Sequence, residues 1–564
     1  MPRGDGRLNH DLLPGEKGPQ DACGVIGVWA PGEEVAKLAY FGLYALQHRG
    51  QEAAGIAVSN GRQITVYKDM GLVAQVFDES SLGTLKGHLA VGHARYSTTG
   101  GSTWENAQPT LGPTAWGTVA LGHNGNLTNS DELRERVLMN EASARADGTR
   151  SGISELERGN TTDTVLITSL LGSGSLLGSD RGAQLEETAR TVLAELEGAF
   201  SLVFMDEHTL YAARDRHGVR PLVLGRLDRG WVVASETSAL DILGASVVRD
   251  VEPGEIIAID ADGLRTSRFA PAEPKGCVFE YVYLARPDSR IAGTVVHSAR
   301  VRMGRSLALE HPVEADLVIP VPESGTPAAI GYADASGIPY AQGLVKNSYV
   351  GRTFISPSQT LRQLGIRLKL NPLREVIQGK RLVVVDDSIV RGNTQRALVR
   401  MLRESGAAEV HVRISSAPVT WPCFYGIDFA GRAELIASGL GVEEIRASVG
   451  ADSLGYLSHD AMVAATARPA DELCSACFTG RYPIAPPRSR AAGAPEGQGQ
   501  FVLDVESDRQ DASRTGFQDG GGAPGPGAVA TPTAGADPGH VPGPAAGRLT
   551  GPVPGPVPAP VPAP

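Results

Sequence analysis

One cysteine stands where a polar segment gives way to an apolar one, and its position suggests nucleophilic chemistry. Residues 1–22 are polar, rich in glycine and proline, and contain no apolar run long enough to pack. Cys23 follows them and opens the run Cys23–Trp29, which predicts a buried strand. Once residues 1–22 are removed, the α-amino group of Cys23, with an ordinary pKa near ~8, can act as general base for its own thiol. The plainer interpretation is a small buried hydrophobe in a strand.

Two polar motifs further along the chain offer groups suited to binding a carboxylate and stabilising an oxyanion. The segments Gly92–Gly100 and Gly122–Asn126 each begin where an apolar run ends, so we expect strand ends to present their polar groups. Arg95 is suited to bidentate binding of a carboxylate. Asn124 and the backbone N–H of Gly125 could donate to a developing oxyanion. Taken singly, the motifs also fit a structural ion pair and a hairpin turn.

A carboxylate and one further block complete the set. Asp163 begins a predicted helix, where it could bind a substrate ammonium group, and Leu46–Gly55 is the further block. In this order and with Cys23, these segments resemble the glutaminase domain of the N-terminal-nucleophile amidotransferases. The resemblance implies a four-layer αββα sandwich in which Cys23 attacks the side-chain amide of glutamine, forms a γ-glutamyl thioester and releases ammonia. It implies that Arg95 and Asp163 hold the α-carboxylate and α-amine, and that residues 1–22 are a propeptide.

A second candidate site lies in the segment Arg381–Thr394. An apolar strand there delivers the adjacent carboxylates of Asp386 and Asp387 to its carboxyl end, and a helix from about Gln395 follows a glycine-containing loop. Backbone N–H groups of such a loop can cradle a phosphate, and open α/β sheets bind ligands at this edge. Two carboxylates facing a polyphosphate need a divalent cation, and Mg²⁺ suits them. The strand also mimics a Walker B strand, but the sequence has no G-x-x-x-x-G-K-[ST] loop.

The same segment resembles the phosphoribosyl diphosphate motif of the type I phosphoribosyltransferases. Ile319–Thr326 is similar to the pyrophosphate loop of that family, and Lys346–Phe354 is similar to its mobile lid. The resemblance implies that Asp386 and Asp387 serve Mg²⁺ and the ribose hydroxyls, with Ser324 near the metal. The other residues that it assigns to phosphoribosyl diphosphate are Lys346 and Arg352 at the diphosphate, and Arg391, Gly392, Asn393 and Thr394 at the 5′-phosphate.

The remaining cysteines all fall between residues 277 and 477, and they are Cys277, Cys423, Cys474 and Cys477. Only the last two have the spacing of local metal ligands, and a C-x-x-C pair can also be redox-active. Four thiolates would suit zinc or an iron–sulfur cluster, and four free buried thiols are the alternative. Their flanks, Lys275–Ser289, Pro422–Asp428 and Cys474–Tyr482, resemble the iron–sulfur branch of the amidophosphoribosyltransferase family. That resemblance implies a structural [4Fe–4S] cluster.

The length and composition of the chain indicate more than one domain and restrict the kinds of partner that it can bind. At 564 residues the chain exceeds a single core. The net charge of −11 argues against nucleic-acid binding, and neither a membrane helix nor a signal peptide is present in the sequence, so we expect a cytoplasmic protein. The expected order is a propeptide at 1–22, a glutamine amidotransferase domain at 23–271, a phosphoribosyltransferase α/β domain with a parallel sheet at 272–484, and a disordered Pro/Gly/Ala-rich tail at 485–564.

Taken together, residues 23–483 resemble the amidophosphoribosyltransferase family. The resemblance implies transfer of glutamine-derived ammonia to 5-phosphoribosyl 1-diphosphate, giving 5-phosphoribosylamine, glutamate and pyrophosphate, the committed step of purine synthesis. It also implies Mg²⁺, a homotetramer and feedback inhibition by purine nucleotides. Two alternatives stay open at this point. One is another enzyme of the same glutaminase class, such as a hexosamine synthase, and the other is a regulatory protein that binds phosphoribosyl diphosphate without chemistry.

Overall fold

A computed structural model provides the fold of the central part of the chain. The expected propeptide, Arg352 and the tail beyond residue 487 lie outside the described residues. The described residues are 23–487 without 97–100, 115–116, 147–155, 157, 175–180, 348–369, 428 and 430.

The N-terminal part contains two antiparallel sheets, which have seven and six strands in the described residues. Their orders are β11-β9-β10-β1-β4-β2-β3 and β13-β12-β8-β7-β6-β5, where the strands are β1 (Gly24–Trp29), β2 (Ala53–Ser59), β3 (Ile64–Met70), β4 (Leu89–Arg95), β5 (Thr110–Pro113), β6 (Thr118–Leu127), β7 (Gly198–Met205), β8 (Leu210–Arg214), β9 (Val223–Leu227), β10 (Gly230–Ala234), β11 (Ser246–Asp250), β12 (Glu255–Asp260) and β13 (Gly263–Arg268). The strand expected after Cys23 is confirmed as β1.

Helices cover the outer face of each sheet, because both faces of most strands are apolar. They are α1 (Val35–Ala45), α2 (Val73–Val76), α3 (Glu79–Thr84), α4 (Ser130–Ala146), α5 (Asp163–Gly174), α6 (Arg181–Ala194) and α7 (Thr237–Ile242), with a 3₁₀ turn at Trp104–Asn106. The α1 and α7 helices pack on the first sheet, and α4, α5 and α6 pack on the second. Between the sheets, Val25 and Val91 meet Val203 and Leu210 in a buried layer. The expected αββα sandwich is therefore confirmed.

The C-terminal part is built around a parallel sheet of order β17-β20-β21-β22. The strands of the C-terminal part are β14 (Gly276–Cys277), β15 (Arg290–Ile291), β16 (Thr294–Val295), β17 (Leu317–Pro320), β18 (Leu344–Lys346), β19 (Leu370–Pro372), β20 (Arg381–Asp386), β21 (Glu409–Ile414), β22 (Ser453–Tyr456) and β23 (Leu473–Cys474). Its helices are α8 (Val296–Glu310), α9 (Thr326–Ser336), α10 (Arg374–Ile377), α11 (Asn393–Glu404), α12 (Ile436–Gly439), α13 (Val442–Val449), α14 (His459–Ala465) and α15 (Ala476–Thr479), with a π-helical turn at Glu280–Leu284 and 3₁₀ turns at Arg432–Glu434 and Ala470–Glu472.

Alternate residues of the central strand β20 face opposite sides of this parallel sheet. Val383 and Val385 pack in one core with residues of α8 and α9, and Leu382 and Val384 pack in another with residues of α11 and α13. A strand buried on both faces has a continuous apolar sequence rather than an alternating one, as predicted. No helix among the described residues is long and apolar enough to cross a membrane.

Buried charges join the two parts of the described chain. Arg49 is fully buried and donates from Nη2 to Oε2 of Glu280 at 2.7 Å, and it also contacts Glu236. Arg220 donates from Nη1 to Oε1 of the same Glu280 at 3.2 Å. Removing one member of such a network would leave an uncompensated buried charge, at a cost of about 3–5 kcal/mol. The two parts thus fold against each other, and the boundary near residue 271 stays a prediction.

Candidate active sites

The thiol of Cys23 lies buried at the end of β1, beside the end of β4. It donates to the carbonyl of Tyr96 at 3.3 Å, and the N–H of Tyr96 approaches the sulfur at 3.5 Å. The pairing of Gly24 with Ala94 between β1 and β4 fixes this position. Burial raises the pKa of the thiol, and the hydrogen bond to Tyr96 and the charge of Arg95 offset that effect only in part. The thiol therefore needs a base in order to react at neutral pH.

A small cleft surrounds this thiol and brings together residues from separate segments. It contains three residues that the sequence assigned to glutamine, namely Cys23, Arg95 and Asp163, and it also contains Gly125. The lining residues are Cys23, Arg95, Tyr96, Gln108, His123, Gly125, Thr162, Asp163 and Thr164.

The cleft carries opposite charges at Arg95 and Asp163. Arg95 is 2% exposed, and its Nη1 lies 3.8 Å from Oε2 of Glu52. Asp163 is 5% exposed, accepts the N–H of Leu127 at 2.9 Å and lies 3.5 Å from Nδ1 of His123. Burial acts to raise the pKa of Asp163, but His123 and the N–H donors outweigh it, so the net shift is downward. An ionised carboxylate and a guanidinium in one cleft suit the two charged α-groups of an amino acid.

Asn124 and Gly125 lie within β6, which corrects the expectation that their motif follows a strand end. The strand continues to Leu127, because Asn124 pairs with Ser201 and Gly125 with Phe200 of β7. Asn124 is fully buried, and neither polar atom of its amide has a hydrogen-bond partner among the described residues. An unsatisfied buried polar group costs about 1–3 kcal/mol, which makes this amide a candidate for binding a substrate group.

Similarly, the Gly92–Gly100 motif begins inside β4, which ends at Arg95, and residues 97–100 lie outside the described range. The pairing of Ala94 with Gly24 and Ala54 keeps this part of the motif in the sheet. Arg95 is the last residue of β4, so the expectation that a strand end presents it is confirmed.

Gln108 is a site residue that the sequence did not reveal. Its Oε1 accepts the N–H of His123 at 2.9 Å, and its Nε2 donates to Oγ1 of Thr164 at 2.9 Å. It therefore ties β6 to the first turn of α5, which carries Asp163. Gln108 belongs to none of the motifs, and only the tertiary structure brings it to the cleft.

The carboxylates of Asp386 and Asp387 lie at the carboxyl end of β20, as predicted. Both are buried, at 7% and 6% exposure, and Oδ1 of Asp386 accepts the N–H of Asp387 at 2.9 Å. Burial and the neighbouring charge of Asp387 raise the pKa of Asp386 well above its ordinary value. Gln395, another residue that no motif marked, contacts the second oxygen of Asp386. Two adjacent buried carboxylates are suited to a divalent cation.

The loop after these carboxylates leads into the N-terminus of α11, where Asn393 and Thr394 form the first turn. Gly392 precedes this helix with φ +78°, a conformation that favours glycine. Arg391 donates from Nε to Glu434 at 2.9 Å, while its buried Nη1 has no hydrogen-bond partner among the described residues. The four residues predicted to hold the 5′-phosphate thus surround the start of a helix, where backbone N–H groups are unpaired.

Lys346, at the start of the predicted lid, forms an ion pair with the predicted pyrophosphate loop, and residues 348–354 of the lid lie outside the described residues. Nζ of Lys346 lies 3.5 Å from Oε2 of Glu323, which is next to the half-buried Ser324. Close packing of Gly325 against β20 holds this loop near the acidic strand end, since a Cβ there would lie 2.4 Å from the carbonyl oxygen of Val385. The role of Arg352 stays a prediction, because it lies outside the described residues.

The four remaining thiols share one buried core of the C-terminal part. Cys277 pairs with Cys474 where β14 and β23 run parallel, and Cys423 and Cys477 belong to the same apolar cluster. Burial raises the pKa of Cys277 to about 12 and that of Cys474 also upward, and the neighbouring thiols contribute to the rise. Among the described residues, no group of three or more His, Cys, Asp or Glu side chains is arranged so that it could hold a metal ion.

Comparisons with known proteins agree with this geometry. A family model described as a glutamine amidotransferase domain matches residues 93–242. The amidophosphoribosyltransferase of Mycobacterium tuberculosis is 64% identical over 481 residues, which covers 84% of this chain and 89% of the relative. That of Bacillus subtilis is 46% identical over 474 residues, covering 83% and 95%. A solved B. subtilis glutamine phosphoribosylpyrophosphate amidotransferase, complexed with ADP and GMP, matches with TM-score 0.73 and 45% identity over 82% of this chain and 98% of that chain.

The cysteine cleft in an αββα sandwich and the acidic strand end of a parallel sheet define a glutamine amidotransferase joined to a phosphoribosyltransferase fold. The chain belongs to the amidophosphoribosyltransferase family, whose members catalyse the glutamine-dependent first step of purine biosynthesis and use metal cofactors. The chain is therefore an enzyme of this class. Because the match covers most of each relative's length, it excludes the two alternatives that the sequence left open, a hexosamine synthase and a non-catalytic regulator.

Proposed function

We propose that Cys23 releases ammonia from glutamine and that the site at Asp386 and Asp387 uses this ammonia to displace pyrophosphate from phosphoribosyl diphosphate. The observation that carries the proposal is the convergence of Cys23, Arg95 and Asp163 on one cleft. Arg95 binds the α-carboxylate of glutamine and Asp163 binds its α-amine. This arrangement directs the side-chain amide toward the thiol.

The chain's own groups then perform the hydrolysis. Removal of residues 1–22 frees the α-amino group of Cys23, which takes the thiol proton as the sulfur attacks the amide carbon. Asn124 and the N–H of Gly125 donate to the oxyanion, the proton passes to the departing ammonia, and a γ-glutamyl thioester remains. Water then hydrolyses the thioester to glutamate. The unpartnered amide of Asn124 supports this role.

In the second site, Asp386, Asp387 and Ser324 would hold Mg²⁺. The raised pKa of Asp386, caused by burial and the charge of Asp387, supports a cation there, because a cation relieves the repulsion between the two carboxylates. When bound, Mg²⁺ supplies charge stabilisation to the departing pyrophosphate. Lys346 and Arg352 bind the diphosphate, and the 5′-phosphate sits on Arg391, Gly392, Asn393 and Thr394.

We also propose that the four cysteines that share one core of the C-terminal part hold a structural [4Fe–4S] cluster. The fully buried Arg220 supports this assignment, because its Nη2 has no hydrogen-bond partner among the described residues. Burial acts to lower the pKa of Arg220, but the charges of Cys277, Glu280 and Cys423 outweigh it. A fully buried cation beside two thiols, with one N–H group left over after its bonds to Glu280 and Tyr425, suits a nearby anionic group. The proposed ligands are Cys277, Cys423, Cys474 and Cys477.

The proposal extends to the setting of the enzyme. We infer a cytoplasmic homotetramer that purine nucleotides inhibit and that binds neither nucleic acid nor membranes. The ADP and GMP in the B. subtilis structure support the regulatory part, and the net charge of −11 supports the absence of nucleic acid. The proposed domains are residues 23–271 and 272–484, and the proposed propeptide and the tail beyond residue 487 lie outside the described residues.

The test is to count glutamate and pyrophosphate released by the anaerobically purified, processed protein, with and without phosphoribosyl diphosphate and Mg²⁺. The proposal predicts equal amounts of the two products and a strong dependence of glutamate release on the sugar diphosphate. Glutamate released without pyrophosphate would retain the glutaminase and exclude the proposed acceptor.

A further inference from the structure

A short segment of the C-terminal part lies directly against the strand that carries the oxyanion donors. We call it the bracing segment, and it comprises residues 423–427. Nδ2 of Asn126 in β6 donates to the carbonyl of Phe424 at 3.1 Å. Gly426 adopts φ +99°, and a Cβ there would lie 3.0 Å from the Cα and the carbonyl carbon of Gly125. The two backbones are therefore in contact at Gly125.

Gly125 is also closely packed against the neighbouring strand β7. A Cβ on Gly125 would lie 2.0 Å from the carbonyl oxygen of Ala199 in that strand. The residue has φ +151°, which few residues other than glycine adopt. Gly125 is thus in close contact with both β7 and Gly426, so the position of its N–H depends on both neighbours.

One arginine fixes the bracing segment and β7 together. Arg220 donates from Nε to the carbonyl of Tyr425 at 2.9 Å, and its own carbonyl accepts the hydroxyl of Ser201 at 3.1 Å. Ser201 is the residue of β7 that pairs with Asn124. Both oxyanion residues are therefore linked to the bracing segment, Gly125 by direct contact and Asn124 through Ser201 and Arg220.

We propose that Gly426 and Asn126 are positioning residues for hydrolysis at Cys23, so that the C-terminal part sets the placement of the oxyanion donors through the bracing segment. This inference rests on the proposed roles of Asn124 and Gly125. Oxyanion donors act on the transition state and must be placed within a fraction of an ångström. A displaced bracing segment will therefore lower kcat for glutamine hydrolysis and leave the KM for glutamine nearly unchanged.

The test compares Gly426→Ala with Gly439→Ala in the processed full-length protein, with phosphoribosyl diphosphate and Mg²⁺ present. Gly439 is the matched control, because a Cβ there meets nothing within 4 Å. For Gly426→Ala we expect kcat for glutamate release to fall about 10- to 100-fold, with KM within about twofold and ammonia-dependent pyrophosphate release retained. Gly439→Ala should match the wild type. An unchanged kcat in Gly426→Ala, or a rise in KM alone, would overturn the inference.

A second variant covers the case in which Gly426→Ala fails to fold and loses its ammonia-dependent activity. Asn126→Asp keeps the side-chain volume and removes the donor to Phe424, so kcat should fall about 5- to 10-fold at constant KM. Full kcat in this variant would overturn the inference. Absence of glutamate release by the wild type in the same assay would instead reject the proposed function, so the two failures are distinguishable.

Discussion

The glutamine site and the ribose-phosphate site differ in what holds their residues in place. The glutamine site is assembled from paired strands: Cys23 adjoins β1, Arg95 ends β4, and Asn124 lies inside β6. The ribose-phosphate site is built mostly from loops that follow the strands β17 and β20. The first site is therefore fixed by backbone hydrogen bonds between distant segments, whereas the second depends on short contiguous segments at one sheet edge.

The two sites also differ in the charges that they bring together. The glutamine cleft combines a buried cation with a buried carboxylate whose pKa is lowered, which suits a zwitterionic substrate. The other site concentrates like charges at Asp386 and Asp387 and thereby raises the pKa of Asp386. The first site thus combines opposite charges of its own, whereas the proposed Mg²⁺ would relieve the repulsion between like charges in the second.

The largest predicted effect on activity concerns the buried side-chain amide of Asn124 in the first site. In Asn124→Ala we expect kcat for glutamine hydrolysis to fall about 10²- to 10³-fold with little change in KM, because the amide contacts only the oxyanion. Steady-state glutamate release measures both parameters. Asn60→Ala is the control, since Asn60 is an exposed turn residue, and it should keep wild-type kinetics. A rise in KM at constant kcat would place Asn124 in substrate binding instead.

A smaller effect is expected at the cationic side of the cleft. Arg95→Lys keeps the charge and loses the planar fork, so the KM for glutamine should rise about 10- to 100-fold while kcat changes little. Arg403→Lys, on the exposed side of α11, serves as control and should leave KM unchanged. If Arg95→Lys binds glutamine normally, the α-carboxylate is held elsewhere.

The smallest effect is on stability and concerns His93, which packs behind the cleft. Burial lowers the pKa of His93 to about 3 from an unfolded value of 6.5. The unfolded state therefore binds a proton that the folded state excludes between these values, and stability declines as pH falls below 6.5. At pH 5.5 the loss amounts to about 1.4 kcal/mol relative to neutral pH. In His93→Gln this part of the pH dependence should vanish in denaturant unfolding at pH 5.5 and 7.5, and an unchanged slope would contradict the assignment.

The same contrast explains how much the sequence could predict. The Arg381–Thr394 segment is contiguous, so its strand, its carboxylates and its helix were all predicted, and β20 and α11 confirm them. The resemblance to the N-terminal-nucleophile amidotransferases implied the αββα sandwich, which is also confirmed. Gln108 and Gln395 were missed, because each reaches its site through tertiary packing and belongs to no motif.

The placement of motifs within strands was the main error. The sequence His-Asn-Gly-Asn is typical of a turn, yet β6 runs through it, since Gly125 tolerates φ +151° beside Ala199. The residues that contact this motif, in β7 and in the bracing segment, are far from it in the sequence, so the motif alone could not reveal them. The buried network of Arg49, Glu236 and Glu280 was missed for the same reason.

The central claim is that ammonia is made at Cys23 and used at Asp387, and one crossed assay tests it most directly. Pyrophosphate and glutamate release are measured for processed Cys23→Ala and Asp387→Asn, each supplied with glutamine or with ammonium, together with phosphoribosyl diphosphate and Mg²⁺. We predict that Cys23→Ala loses only the glutamine-dependent reaction. Asp387→Asn should lose pyrophosphate release with both nitrogen donors. Loss of the ammonium-dependent reaction in Cys23→Ala, or normal pyrophosphate release in Asp387→Asn, would contradict the assignment of two separate sites.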